Sequence, residues 1–142
     1  MIDKERKLLQ QIGRTGRAMY AAFEAEVGQP LPRWRILQAL HEGKAATQKD
    51  LARQLLLDPG ALTRQMKGLE ADGLVIREND PRDNRLTVVT LTRSGTALVE
   101  SLKPLRQTFS RKALRGLAVE EIAAALAVLQ RLEERFRGMS GQ

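Results

Sequence analysis

Two short apolar runs between Leu74 and Leu91 flank a polar centre, Glu78-Asn79-Asp80-Pro81-Arg82-Asp83-Asn84-Arg85, and no other stretch restricts the fold as much. Leu74-Val75-Ile76 on one side and the Val- and Thr-rich run from Leu86 to Leu91 on the other predict two β-strands. The Asp-Pro and Asp-Asn pairs between them predict the turn of a hairpin, because Pro presets φ and Asp side chains bond their own backbone. This is the one convincing β signal in a chain whose apolar residues otherwise recur at helical spacing.

The remaining segments predict helices with recognisable ends. Residues 2 to 27 form the first, with Leu8, Ile12, Met19 and Phe23 on one face, and Gly28-Gln29-Pro30-Leu31-Pro32 breaks it. A second, about 33 to 42, turns Trp34, Leu37 and Leu40 inward and stops at Gly43. Thr47 is an N-cap with Asp50 three residues on, opening a short helix to about Leu56. Asp58-Pro59 starts the next, with Asp as cap and Pro in the first turn, and Gly73 ends it. Beyond the hairpin, Thr92-Arg93-Ser94-Gly95 begins a long helix to about Leu117, kinked by Pro104. The last helix, about 119 to 137, carries Ile122, Leu126, Leu129, Leu132 and Phe136 as its apolar stripe. The order is α-α-α-α-β-β-α-α: a mainly α chain with a small hairpin wing.

The terminal helices offer more apolar stripe than the short central module can cover. A second copy would bury it about a two-fold axis, through Leu8, Ile12, Ile122, Leu126, Leu129 and Phe136. In the competing arrangement the stripes pack within a single chain. The division expected is an N-terminal dimerisation helix at 1–30, a DNA-binding domain at 31–100, and C-terminal dimerisation helices at 101–142.

Composition narrows the chemistry. A net charge of +7 in 142 residues favours a polyanionic partner, although many basic proteins carry such charge only for solubility. Without Cys there is no disulfide, thiolate nucleophile or cysteine-based redox sensor, and with one His no dedicated transition-metal site is expected. No cofactor and no catalytic residues are expected, since neither a nucleophile–base pair nor a phosphate-binding glycine loop is visible. No apolar run approaches the roughly 18 residues that span a bilayer, and the charged N-terminus lacks a signal-peptide core, so no membrane partner and a cytoplasmic location are expected.

Leu51, Ala52, Leu55, the Leu57-Asp58 turn and Leu62 read as a helix-turn-helix, and the ribbon that follows makes it a winged one suited to double-stranded DNA. On the second helix Gly60, Ala61, Thr63, Arg64 and Lys67 can be exposed while Leu62, Met66 and Leu69 face the core. Gly60 and Ala61 permit close approach to the groove, Thr63 can meet a base or a thymine methyl, and Arg64 can fork onto guanine. Lys67, one turn later, suits a phosphate; the competing reading for each is a solvated helix face. Thr47, Gln48 and Lys49 sit at a helix N-terminus, where backbone N–H groups suit phosphate. Arg82 and Arg85 are the wing candidates for the minor groove. Asp80 and Asp83 are placed to rigidify the turn by pairing with them, an arrangement expected to tie Arg82 and leave Arg85 free.

The run Leu69-Glu70-Ala71-Asp72-Gly73-Leu74-Val75-Ile76-Arg77, then Asp80 to Arg85, then Leu91-Thr92-Arg93-Ser94-Gly95, resembles the MarR family of transcriptional regulators. So do Trp34 to Leu40 and Thr47-Gln48-Lys49-Asp50-Leu51-Ala52. The resemblance covers about residues 31 to 95 and implies a homodimeric winged-helix regulator on a pseudo-palindromic operator. It implies repression more often than activation, with release by small phenolic or aromatic carboxylate ligands. By position it puts the wing arginine on Arg85 and the wing aspartate on Asp83. Gly68 departs from the pattern; inside a recognition helix it costs about 1 kcal/mol relative to Ala, which suggests a close backbone neighbour.

The resemblance also implies an effector crevice between the dimerisation helices and the winged domain. Arg14, Arg17, Tyr20, Trp34 and His41 are the polar and aromatic groups available there. Arg14 and Arg17 could hold a carboxylate jointly, Trp34 could form an aromatic wall, and His41 could titrate near neutrality. In the competing reading Trp34 is core, His41 caps a helix end, and the arginines bond across a dimer interface. A winged-helix protein with no small effector, or one that binds other proteins, remains an alternative.

Overall fold

The computed structural model describes residues 2–43 and 45–141. Its elements are α1 (Ile2–Val27), α2 (Leu31–Gly43), β1 (Ala45–Thr47), α3 (Gln48–Leu55), α4 (Pro59–Ala71), β2 (Val75–Asn79), β3 (Thr87–Leu91), α5 (Arg93–Ser101), α6 (Lys103–Ala113) and α7 (Val119–Met139). One compact unit ends at Phe109 and a second begins at Ser110.

The hairpin forms as the sequence predicts, β2 pairing antiparallel with β3 from Val75↔Leu91 to Asn79↔Thr87. A third strand was not anticipated. β1 adds to the other edge of β3, with Ala46 opposite Val89 and Thr47 opposite Val88, giving the order β1-β3-β2. Its Ala-Ala-Thr sequence has little intrinsic strand preference; pairing with an available edge overrides propensity.

The long helix expected from Thr92 to Leu117 is divided. Pro104 has no N–H to give the Glu100 carbonyl, and its ring crowds that turn, so α5 ends at Ser101. Leu102 is the cap, and Pro104 then stands at the second position of α6, where a missing donor does no harm.

Helix ends follow their caps. Thr47 Oγ1 accepts from the Asp50 N–H at 3.0 Å, and Asp58 Oδ2 from the Ala61 N–H at 3.1 Å. Helix α4 closes in a Schellman motif: the Leu74 N–H reaches the Leu69 carbonyl at 2.9 Å and the Gly73 N–H that of Glu70 at 3.0 Å. Gly73 carries the positive φ of 73° that this ending demands. Between α3 and α4, Leu56 adopts the left-handed region at φ 53°, an uncommon state for a side chain of that size.

The core of the first unit is apolar throughout. Ile36, Leu37 and Leu40 of α2 pack with Leu51, Leu62, Met66, Leu69, Val75, Val89 and Val99, and among the described residues no polar side chain is buried with them. Where the hairpin meets α5 the packing leaves no slack. Thr92 donates from its backbone to the Leu74 carbonyl at 3.0 Å and from its hydroxyl to the Gly73 carbonyl at 2.6 Å. A Cβ on Gly95 would run into the Leu74 carbonyl oxygen, so only glycine fits the first turn of α5.

In the second unit α7 starts with the Glu121 carboxylate accepting from the Ala118 N–H at 2.9 Å. Its stripe is largely uncovered: Ile122 and Leu132 are half-buried, and Leu126, Leu129 and Phe136 are exposed. On α1, Ile12 is half-buried and Leu8 is exposed.

Candidate nucleic-acid interface

Helix α4 turns Leu62, Met66 and Leu69 into the core, so the opposite face of its first turns is presented outward. Gly60, Arg64 and Lys67 are exposed and Ala61 is half-buried. The Arg64 guanidinium folds back towards the first turn: a Cβ on Gly60 would lie 3.6 Å from Arg64 Nη1 and 3.0 Å from Asp58 Oδ2. Gly60 thus leaves room for both the cap and the arginine. Neither Arg64 nor Lys67 has an ion pair or hydrogen bond among the described residues. Thr63 is already engaged, its hydroxyl donating to the Pro59 carbonyl at 2.9 Å, which leaves its lone pairs and methyl for a partner. Nothing lies within 4 Å of a Cβ on Gly68, so the close backbone neighbour expected there is absent.

At the wing the arginines have exchanged the roles expected of them. Arg85 is the tied one: Nε donates to Asp83 Oδ1 at 3.0 Å and Nη2 to Oδ2 at 3.1 Å. This fork holds the Asp83 carboxyl below the usual range, the side-chain bond first and the Arg85 backbone N–H second, and raises Arg85 through the same bond. The Arg85 side chain remains 89% exposed, so the pair presents the guanidinium without covering it. Asp80 instead accepts from the Arg82 backbone N–H at 2.8 Å, forming an Asx turn, and leaves the Arg82 guanidinium without a partner among the described residues. An aspartate that uses its carboxylate on the backbone has less of it to offer a side chain.

Gln48 also differs from the expectation of a simple phosphate ligand. Its Oε1 accepts from Arg77 Nη1 at 3.4 Å, while Lys49 beside it is exposed. Arg77 and Glu70 were not singled out from the sequence, yet they form the strongest charge contact in this region. Arg77 Nη2 donates to Glu70 Oε1 at 2.9 Å and Nε to Oε2 at 3.3 Å. Strand alternation carried the signal: Arg77 shares a face with buried Val75, where a charge requires a partner. Near the other end of α2, Arg33 Nη2 meets Asp72 Oδ2 at 2.6 Å, tying the C-cap of α4 as well.

The five effector candidates do not gather around one cavity. Trp34 is 3% exposed and lies in an aromatic cluster, 6.1 Å from Phe23, which meets Phe109 edge-on at 5.4 Å. The Arg106 guanidinium covers the Trp34 ring at 4.6 Å. A groove of about 310 Å³ lined by Leu40, His41, Leu91 and Thr96 takes in His41 alone of the five. Glu100 stands 3.9 Å from the His41 imidazole. Arg14, Arg17 and Tyr20 are exposed along α1. Among the described residues no cluster could hold a metal ion, and no helix is long and apolar enough to cross a membrane.

The sequence profile of the MarR family matches residues 30–87, from the start of α2 to the beginning of β3. An HTH-type transcriptional regulator of Bacillus subtilis, YdgJ, is 31% identical over 137 residues, 96% of this chain and 84% of its own length. The chain belongs to the MarR family. It is therefore a DNA-binding transcriptional regulator and not an enzyme. The MarR fold extends over nearly all of it: a mutant MarR from E. coli complexed with operator DNA superposes with a TM-score of 0.84 at 23% identity, over 93% of this chain and 97% of that one. BpsR of Bordetella bronchiseptica, whose DNA binding is regulated by 6-hydroxynicotinic acid, superposes at 0.81 with 24% identity, over 89% and 98%.

Proposed function

We propose that this MarR-family regulator is a homodimeric repressor that reads a pseudo-palindromic operator. Helix α4 enters the major groove and the tip of the β2–β3 wing enters the flanking minor groove. One observation carries the reading: Arg64 and Lys67 stand exposed and unpaired on the outward face of α4, while the opposite face is locked into the core. Arg64 supplies base preference, and Lys67 phosphate affinity. At the wing, Arg85 reaches the groove with its orientation fixed by Asp83, and Arg82 adds a mobile cation. Thr47, Gln48 and Lys49 meet the backbone beside α3.

In this reading residues 1–30 and 101–142 form the dimerisation helices around a DNA-binding domain at 31–100. The exposed stripe of α7 and the outer residues of α1 support it, since apolar faces of that extent are normally covered. Release by a small aromatic or phenolic carboxylate is supported by the ligand control of BpsR. A second reading, an operator-binding protein with no small effector, is favoured by the burial of Trp34 and the scatter of the other four candidates.

Fluorescence anisotropy on the chain's own upstream duplex and a scrambled one, across salt concentrations, tests the first claim. A preference of about 10³-fold or more with a steep salt slope is expected. Arg64→Ala is expected to lose about 1–3 kcal/mol of discrimination at one base pair, and Lys67→Ala to weaken both duplexes alike. Equal effects of the two substitutions on both duplexes would remove Arg64 from base reading. Titration of the complex with aromatic carboxylates then separates the two readings: operator release by one of them supports an effector, and none supports its absence.

A further inference from the structure

We propose that Arg77 is a positioning residue for operator recognition: from strand β2 it holds the recognition helix and the start of α3 in one frame, without touching DNA itself. The inference rests on the assignment of α4 as the DNA-reading helix. Arg77 is the point where three elements meet. Its guanidinium forks onto Glu70 in the last turn of α4, at 2.9 and 3.3 Å, and its remaining Nη1 donates to Gln48 Oε1 at the first position of α3, at 3.4 Å. The planar fork fixes direction as well as distance, which a point charge would not.

Geometry makes this a device for aim. The N-terminal half of α4 carries Arg64 and Lys67 and has no partner on its outer face, so the angle at which it meets a groove is set by its other end. That end is held twice, by Arg77 through Glu70 and by Arg33 through the Asp72 cap at 2.6 Å. The Gln48 bond extends the same frame: its carbonyl is taken by Arg77, leaving the amide N–H groups as the donors turned to other use. The fork also keeps both groups ionised, Glu70 being lowered first by the Arg77 side-chain bond and Arg77 raised by the same bond. A guanidinium already matched by a carboxylate, with its side chain 24% exposed, is poorly placed to serve as a phosphate ligand.

Positioning and charge predict opposite results for one isosteric change. Glu70→Gln removes a negative charge next to a polyanion-binding surface, so electrostatics alone would tighten binding to every duplex. As a positioning contact, its loss is expected to lower the operator-to-scrambled ratio, by about tenfold, the scale of one misaligned bidentate base contact. Arg77→Gln is expected to do the same with an unchanged salt slope, and the exchanged pair E70R/R77E to recover part of the ratio. The measurement is anisotropy with the full chain on an operator selected from a random duplex pool, with thermal unfolding of each variant alongside. The inference is overturned by a ratio that stays at the wild-type value, or by a salt slope that Arg77→Gln flattens by about 1, the mark of a lost phosphate contact. It is equally overturned by a fall that only mirrors a loss of folded protein. If selection with the wild-type chain yields no preferred duplex, the DNA-reading assignment fails first, and Arg77's role fails with it.

Discussion

Helices α4 and α7 carry the same kind of apolar stripe and meet opposite fates. On α4, Leu62, Met66 and Leu69 are at most 1% exposed, whereas on α7, Leu129 and Phe136 retain 49% and 44% of their surface. Period and residue type are alike, so neither decides burial; what decides it is whether another element arrives. For α4 that element is close in sequence: α2, α3 and the hairpin surround it within the same unit. For α7 a second copy of the chain is the cover proposed above.

Substituting within each stripe should give different kinds of loss. Leu129→Glu is expected to have the largest effect, converting a dimer to a monomer in sedimentation velocity and abolishing any rise of Tm with protein concentration. A dimer that survives the change would assign the α7 stripe some other role. Leu69→Ala, by contrast, is expected to cost about 2–5 kcal/mol in denaturant unfolding while leaving assembly intact where the chain still folds. Gly95→Ala follows at about 1–3 kcal/mol, because the new methyl must displace the Leu74 carbonyl, and a neutral result would show that this junction yields.

Gly68→Ala tests the exposed side of α4 and should gain about 1 kcal/mol, since the added methyl meets open space. A gain accompanied by weaker operator binding would show that DNA approaches there. The smallest effect belongs to the wing. Asp83 has a lowered folded pKa, so its bond to Arg85 contributes above the unfolded value and is lost as pH falls through the folded one. An NMR titration should place the Asp83 midpoint below that of an aspartate in a peptide, about 3.9. A midpoint at or above it would mean that the fork does not persist in solution.

Most of the fold was legible because its signals are local. Thr47, Asp58-Pro59, Gly73 and Thr92 each announce a helix end through a side chain or backbone freedom that acts within a few residues. β1 was not legible, because Ala-Ala-Thr becomes a strand only when β3 lies beside it. At the wing the sequence offers Asp80 and Asp83 each two residues before an arginine, and equal spacing cannot say which carboxylate serves a backbone N–H and which a guanidinium. The Glu70–Arg77 fork depends on how α4 lies against β2, and the effector candidates depended on several helices converging on one cavity. Trp34 was drawn instead into the aromatic core beneath Arg106.

The junction of the hairpin with α5 has a mechanical consequence. With the Leu74 carbonyl engaged by Thr92 and Gly95 pressed against it, wing and helix turn as one body, like a blade welded to its handle. The interruption at Leu102, where Pro104 removes a rung from the helical ladder, is the cheaper place to bend. Torque applied beyond that joint would swing the blade as a whole and leave its edge unbent.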